Sequence, residues 1–169
     1  MTDRKTRRSL EEGHLRKFLV IVDKSPEVDS ALIFSASRIQ HTGGSLVLLY
    51  VIEPQDYQHW MGVKQKYIEE ETAKAKALFR LFRRKLNTAG FESVAVEENI
   101  SEGKIAEEIV KIIDDDADIA ILVLGAATDA KGPGPLVSSL ATGKVAGMFP
   151  VPITIVPGNL TAEEIKKLA

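Results

Sequence analysis

Cysteine is absent from this chain of 169 residues, and histidine occurs only three times. Without cysteine, thiol catalysis, disulfide scaffolds and cysteine-ligated metal centres are all excluded. The histidines, His14, His41 and His59, lie far apart in the sequence, so no histidine pair has the spacing of metal ligands. We therefore expect a domain that is held together by an apolar core alone.

Long apolar runs are also lacking. The longest runs, such as residues 119–124, fall far short of the roughly 20 residues that a transmembrane helix needs. The first residues contain no apolar segment of the kind found in secretory signals. The 22 basic and 24 acidic side chains give a net charge of −2, which provides no electrostatic footprint for nucleic acid or for an anionic membrane. These features predict a cytoplasmic protein whose partners include neither nucleic acid nor a membrane.

The chain divides into three parts. Residues 1–16 are polar and rich in charge, and they predict a flexible N-terminal tail, although the basic cluster from Arg4 to Arg8 could also contact phosphate. Residues 17–157 predict one domain. Residues 158–169 form a C-terminal extension, with a helix expected from Thr161 onward.

Within the domain, short apolar segments alternate with helical patterns. The expected helices cover about residues 26–40, 63–89, 105–113 and 136–147, with Ser25 as the N-cap of the first. Such alternation predicts an α/β fold with a Rossmann-like, five-stranded parallel sheet and helices on both faces. We expect the strand order 3-2-1-4-5. The predicted strands are residues 18–22, 46–52, 93–100, 118–124 and 152–156.

In such a sheet, ligands bind beyond the carboxyl ends of the strands, at the point where the strand order reverses. That point lies between strands 1 and 4. Asp23 follows strand 1, Val51 lies at the end of strand 2, and Gly125 follows strand 4. These three residues are therefore candidates for ligand contact.

The segment from Gly125 to Pro135 joins strand 4 to a helix, where free backbone N–H groups favour an anion. Its glycines would allow close approach of the backbone, and it is followed by two serine hydroxyls. A rigid Gly-Pro turn without a ligand is the alternative interpretation. The candidate anion-binding residues are Gly125, Lys131, Gly132, Gly134, Ser138 and Ser139.

Other polar groups in the sequence give weaker evidence for a binding site than the segment after strand 4. Asp23 could bind a metal, as in response-regulator receivers, but the acidic pair and the phosphorylatable aspartate of a receiver are missing. Asp114, Asp115 and Asp116 are interpreted as a solvated helix end, because consecutive helical residues point in different directions. The pair His59 and Trp60 could cap the crevice or pack on the edge of the sheet.

The chain resembles the universal stress protein family from Lys17 to Pro157. The matching segments are FLVIVDKSPEVDSAL, SLVLLYVIEP, SEGKIAEEIVKII, ADIAILVLGA and FPVPITIVP, in this order. Gly103 and Gly125 both fall where the family has glycine. The resemblance implies an adenine-nucleotide α-hydrolase-like fold.

The resemblance also implies a site and an assembly. Asp23 and Val51 would contact adenine, and the segment after strand 4 would hold ribose and phosphates of ATP or another adenine nucleotide. Nucleotide-binding members carry Gly-x2-Gly-x9-Gly-Ser/Thr, whereas this chain has Thr128 at the second glycine and Ser138, followed by Ser139, at the third. A homodimer would form through the last strand, which begins at Pro152 and ends at Val156.

Three hypotheses follow from the sequence. The first is an adenine-nucleotide-binding stress-response module with at most weak ATP hydrolysis, since no general base is evident. The second is a dimeric interaction or regulatory member of the same family that binds no nucleotide, which the altered glycine motif favours. The third is an α-hydrolase-type enzyme, which would require a Ser-Gly-Gly-x-Asp-Ser loop that is absent after strand 1.

Overall fold

The structure is a computed structural model that describes residues 5–55 and 61–169. A five-stranded, all-parallel sheet has the order β3-β2-β1-β4-β5, which confirms the predicted order. The strands are β1 (Lys17–Ile21), β2 (Ser45–Ile52), β3 (Val96–Glu102), β4 (Ile119–Ala126) and β5 (Ile153–Pro157). The helices are α1 (Val28–Thr42), α2 (Met61–Thr88), α3 (Ile105–Asp115), α4 (Pro135–Leu140), α5 (Gly143–Met148) and α6 (Ala162–Leu168).

The central strand β1 shows why the apolar runs are continuous. Phe18 and Val20 belong to the core that contains residues of α1, α2 and α6, whereas Leu19 and Ile21 belong to the core that contains residues of α3 and α4. Each of these four side chains is at most 4% exposed. Because helices cover both faces, every position of the strand has to be apolar.

The predicted helix over residues 136–147 is divided into α4 and α5, which corrects the sequence interpretation. Thr142 has an extended backbone, with φ −131° and ψ 163°, and its hydroxyl donates a hydrogen bond to the Ser138 carbonyl. The helix breaks at this position because the β-branched Thr142 and the following Gly143 both have low helix propensity.

β3 begins at Val96 and not at residue 93. Phe91 and Val94 are buried in the core that contains residues of α1, α2 and α6. The Val94 N–H donates to the Phe91 carbonyl in a turn. The chain joins the ladder only after this turn, where Val96 pairs with Leu46.

The two terminal segments pack against the domain. Arg7, in the segment expected to be a flexible tail, donates hydrogen bonds to the carbonyl groups of Ile113, Asp116 and Ile119. At the C-terminal end, Ile165 of α6 is only 1% exposed and packs in the same core as residues of α1 and α2. No helix within residues 5–55 and 61–169 has the length and apolar character to cross a bilayer.

Candidate functional site

A crevice lies at the carboxyl ends of β1 and β4, where the strand order reverses. It has a volume of about 130 Å³, and three of the predicted site residues line it: Asp23, Gly125 and Gly134. The remaining six do not line it. These are Val51, Thr128, Lys131, Gly132, Ser138 and Ser139.

Asp23 is exposed at the end of β1 and organises the turn that leads into α1. Its Oδ1 accepts a hydrogen bond from the Ser25 N–H at 2.7 Å and another from the Ser25 hydroxyl. The sequence predicted Ser25 as the N-cap of α1. In the structure the helix begins at Val28, so Ser25 is not its N-cap. Because both hydrogen bonds use Oδ1, the turn fixes the carboxylate without engaging Oδ2.

Val51 lies beside this turn on the neighbouring strand. Ile21, the last residue of β1, pairs with Leu49, so Val51 extends two residues past the end of the β1 ladder. On its other side, Val51 pairs with Ser101 of β3. A flat ligand could therefore lie against this projecting end of β2, next to Asp23.

Glu27 explains the glycine at position 125. A Cβ at this position would overlap the Glu27 carbonyl group, and the Glu27 side chain also lies near Gly134. Gly125 is therefore required for the close packing of the first turn of α1 against β4. No pattern in the sequence indicates Glu27 as a crevice residue, because only the fold brings it there.

The loop after β4 is closed by hydrogen bonds of its own. The Ala127 N–H donates to the Pro133 carbonyl at 2.9 Å, and the Lys131 N–H donates to the Asp129 carboxylate at 2.8 Å. Gly134 has φ 102°, a conformation that glycine adopts without strain, and it leads directly into α4. Several donors that could have faced a phosphate are therefore already used within the loop.

The predicted hydroxyls at the end of this loop lie on α4, which has only six residues and begins with Pro135. Ser138 and Ser139 are both exposed, and the Ser139 hydroxyl is 3.4 Å from the Leu136 carbonyl. Thr128 and Lys131 are likewise exposed on the loop. A short helix whose first residue lacks an N–H offers a phosphate few backbone donors.

The ionisable side chains that line the crevice are acidic. Asp23 and Glu27 are the ionisable side chains of its lining, and no lysine, arginine or histidine of the described residues lines it. Two carboxylates favour hydrogen-bond donors, such as an exocyclic amine or sugar hydroxyls, over an anionic phosphate. The arrangement therefore suits the nucleoside part of a nucleotide better than its phosphates.

A polar cluster stands next to the end of β2, on the side of α2. The Tyr50 hydroxyl donates to Glu71 at 2.6 Å, and Lys74 donates to the same carboxylate at 2.9 Å. Burial, followed by the hydrogen bond to Glu71, raises the pKa of Tyr50. The hydrogen bond from Tyr50, together with that from Lys74, lowers the pKa of Glu71. No pattern in the sequence indicates this pairing, because it needs β2 and α2 side by side.

In a chain without cysteine, histidine and carboxylate side chains are the candidate metal ligands. No group of three or more histidine, aspartate or glutamate side chains among them is arranged to hold a metal ion. Asp114, Asp115 and Asp116 stand at the end of α3, where Lys17 pairs with Asp116 at 2.8 Å. His59 and Trp60 lie outside the described residues.

Comparisons with solved structures support the fold. A hypothetical protein, MJ0577, is 21% identical, with a TM-score of 0.68 over 86% of this chain and 98% of that chain. The universal stress protein UspA from Lactobacillus plantarum is 21% identical, with a TM-score of 0.58 over 83% and 97%. A universal stress protein from Archaeoglobus fulgidus in complex with dAMP is 17% identical, with a TM-score of 0.55 over 83% and 97%.

Comparison at the level of sequence gives the family. A search of curated proteins found no match. The model of the Universal stress protein family matches residues 14–157, which include all five strands of the sheet and the whole crevice. The chain therefore belongs to the universal stress protein family.

Proposed function

We propose that the protein binds an adenine nucleotide in the crevice between β1 and β4 and holds the nucleoside part more firmly than the phosphates. The observation that carries this proposal is the carboxylate of Asp23, which is fixed through Oδ1 at the mouth of the crevice. Its Oδ2 can accept a hydrogen bond from the exocyclic amine of adenine. The universal stress protein from Archaeoglobus fulgidus in complex with dAMP supports the choice of ligand class.

The test compares ligands that differ in one group. Calorimetric titrations should give adenosine a higher affinity than ATP, because the described lining of the crevice carries the carboxylates of Asp23 and Glu27 and no cation for the phosphates. Inosine, which carries a carbonyl oxygen in place of the amine, should bind more weakly than adenosine. Equal affinities for inosine and adenosine would remove Asp23 from the base contact.

A matched pair of variants tests Asp23 itself. Asp23→Asn keeps an oxygen for the turn with Ser25 but replaces the other oxygen with a donor. We expect it to weaken AMP binding by about 1–3 kcal/mol, or roughly 5- to 150-fold. Ser25→Ala removes a hydrogen bond to the same carboxylate and keeps its charge, so it should leave the affinity nearly unchanged.

The second candidate function is a dimeric interaction module that binds no nucleotide. The size of the crevice favours it, since about 130 Å³ is smaller than the ~300–1,000 Å³ of most ligand pockets. The packing of Glu27 against Gly125 favours it as well. Under this alternative, adenosine, AMP and ATP would all fail to bind, and the protein would still form a dimer.

For either function we propose a homodimer through β5. Thr154 to Val156 lie on an edge strand of the sheet, and the side chain of Ile155 is 43% exposed. The opposite edge strand, β3, carries charged side chains that discourage pairing, among them Glu97 and Glu98. α6 packs on α1, and Ile155 remains exposed beside it, which supports pairing of β5 with a second copy of the chain.

A further inference from the structure

An open groove of about 440 Å³ lies between the N-terminal segment and the C-terminal end of α1. Its lining residues come just before β1 and β2, so the groove is at the amino ends of these strands. It shares no lining residue with the crevice between β1 and β4, which is at the carboxyl ends. Part of its wall precedes residue 14, where the match to the family model begins, so family membership alone does not account for this groove.

Two leucine side chains of the N-terminal segment line the groove and are exposed. Leu10 is 91% exposed and Leu15 is 62% exposed. Among the described residues, no large apolar side chain is more exposed than Leu10. Single exposed leucines are common on protein surfaces, but two that line one groove form an apolar patch that a partner can cover.

Hydrogen bonds hold the backbone that carries these leucines. The Glu11 N–H donates to the Arg8 carbonyl at 2.9 Å, and the His14 N–H donates to the Glu11 carbonyl at 3.0 Å, which closes two successive turns around Leu10. The Nδ1 atom of His14 lies 2.7 Å from a carboxylate oxygen of Asp118, next to the start of β4. Because the segment is held in place without a partner, binding costs less conformational entropy.

Two arginines give the groove a positive charge. Arg16 donates to the Thr42 hydroxyl at 2.7 Å, and its guanidinium lies 5.0 Å from the centre of the Phe18 ring, so this side chain is held in place. Arg38 is half-buried, and within the described chain its guanidinium forms no ion pair. No acidic side chain of the described residues lines the groove. The groove therefore favours carboxylates next to an apolar group.

We propose that this groove binds a short acidic segment of a partner protein, one that also carries a large apolar side chain. The apolar side chain packs between Leu10 and Leu15, and a neighbouring carboxylate pairs with Arg38 and Arg16. The volume of about 440 Å³ lies within the ~300–1,000 Å³ of most binding pockets, which is room for a few side chains.

The surroundings of the groove favour a peptide over an anionic membrane. Glu11 and Glu12 directly follow Leu10, and both are exposed. A flat lipid surface that reaches Leu10 also meets these carboxylates, and like charges repel. A peptide in the groove lies among residues that include no described acidic side chain.

The test is a titration of the isotope-labelled, full-length protein with the acetylated and amidated peptide Asp-Asp-Leu-Leu-Asp-Asp, followed by amide chemical shifts. We expect shifts that cluster in residues 8–16 and 38–44, saturate at millimolar concentration and weaken with added salt. Two matched peptides carry asparagine in place of each aspartate, or serine in place of each leucine. Each should bind at least about fivefold more weakly, because one loses the charge and the other the apolar contact.

Variants separate binding in this groove from binding elsewhere. Leu10→Ser and Arg38→Gln should each weaken binding of the acidic peptide by about fivefold. Leu81→Ser and Arg80→Gln change exposed positions on α2 outside the groove lining, and they should leave the affinity unchanged. Thermal melts show which variants are folded, and Leu10→Ser keeps the proposal testable if the Arg38 variant does not fold.

Several outcomes would overturn the proposal. These are no saturation by the acidic peptide, shifts centred outside the groove, or unchanged affinity in both groove variants. Co-sedimentation with vesicles of phosphatidylserine and phosphatidylcholine that Leu10→Ser abolishes, without peptide binding, would assign the groove to a membrane instead. Self-association of the protein that Leu10→Ser abolishes, again without peptide binding, would assign it to a second copy of the chain.

Discussion

Glu27 brings a carboxylate to the lining of the crevice between β1 and β4. Its backbone is packed on Gly125, and its side chain lies near Gly134, in the region where the family resemblance implies the ribose and phosphates. Asp23 carries a second negative charge at the same crevice. Two carboxylates so close to a polyphosphate would oppose its binding, and this effect weakens with salt.

The charge of Glu27 leads to a prediction about ligand preference. Glu27→Gln keeps the shape of the side chain and removes its charge, so it should raise the affinity for ATP severalfold, by about 1 kcal/mol, and leave that for adenosine unchanged. Calorimetry with the two ligands at low and high salt measures this difference. Glu92→Gln, at an exposed position outside the crevice lining, is the control. An equal gain for both ligands would show that Glu27 does not act on the phosphates.

The pair of Tyr50 and Glu71 predicts how stability depends on pH. The pKa of Glu71 is lowered in the folded protein, chiefly by the Tyr50 hydroxyl, so its ionised form adds stability above the unfolded-state value of about 4.3. That contribution is lost as the pH falls through the folded-state pKa. Tyr50→Phe should therefore lower the free energy of unfolding by about 1 kcal/mol at neutral pH, and the difference from wild type should shrink below about pH 4.

Urea titrations at neutral and acid pH measure this effect. Tyr67→Phe is a matched control, because the Tyr67 hydroxyl donates to the backbone carbonyl of Glu53, which does not titrate. Its effect on stability should be the same at both pH values. A loss in Tyr50→Phe that persists at acid pH would assign the role of Tyr50 to packing alone.

At the scale of elements, the N-terminal segment stabilises the end of α3. The last carbonyl groups of a helix have no partner within the helix. Arg7 donates to the Ile113 carbonyl at 2.6 Å and also reaches the carbonyl of Ile119 at the start of β4. Next to it, the Arg8 N–H donates to the Ala117 carbonyl at 2.8 Å. The segment thereby joins α3 to β4 from outside the central domain.

Replacing Arg7 tests this role. Arg7→Met keeps the aliphatic stem but leaves several carbonyl groups without their donor, and we expect it to lower the free energy of unfolding by about 1–3 kcal/mol. Arg8→Met is the control, because the Arg8 guanidinium forms an exposed ion pair with Glu11, and such pairs contribute little. Chemical denaturation of both variants measures the difference. Equal stability of the two variants would contradict the proposed anchoring.

At the scale of the whole molecule, the two edges of the sheet differ in character. The β3 edge holds Glu97, which pairs with Lys17, and Glu98, which pairs with Arg83. The β5 edge exposes Ile155 beside Thr154 and Pro157, without charged neighbours on the strand. An open apolar edge favours pairing with another copy, whereas a charged edge resists it.

The difference between the edges predicts where the proposed dimer is sensitive to charge. Ile155→Lys should convert the dimer to a monomer, as measured by light scattering at micromolar concentration. Leu81→Lys is a matched control, because Leu81 is 40% exposed on α2, close to the 43% of Ile155, and it lies away from β5. It should leave the dimer intact. A wild-type protein with the mass of a monomer would contradict the proposed assembly.

Much of the fold follows from local patterns. The continuous apolar run at Leu46 to Ile52 required a strand buried on both faces, and the structure has β2 at this position. Asp23 and Gly125 could be placed at the crevice, because both follow strands that are neighbours at the point where the order reverses. Such predictions succeed because burial on two faces and right-handed crossovers leave few topologies open.

The sequence by itself therefore determined the sheet, its strand order and the position of the crevice. Only the tertiary structure decided what the crevice contains. Glu27 enters it because α1 packs on the glycine at position 125, and Lys131 remains on an exposed loop whose hydrogen bonds close on themselves. The physical reason is that apolar periodicity is recorded along the chain, whereas the charge of a site depends on side chains that meet only after distant segments have packed together.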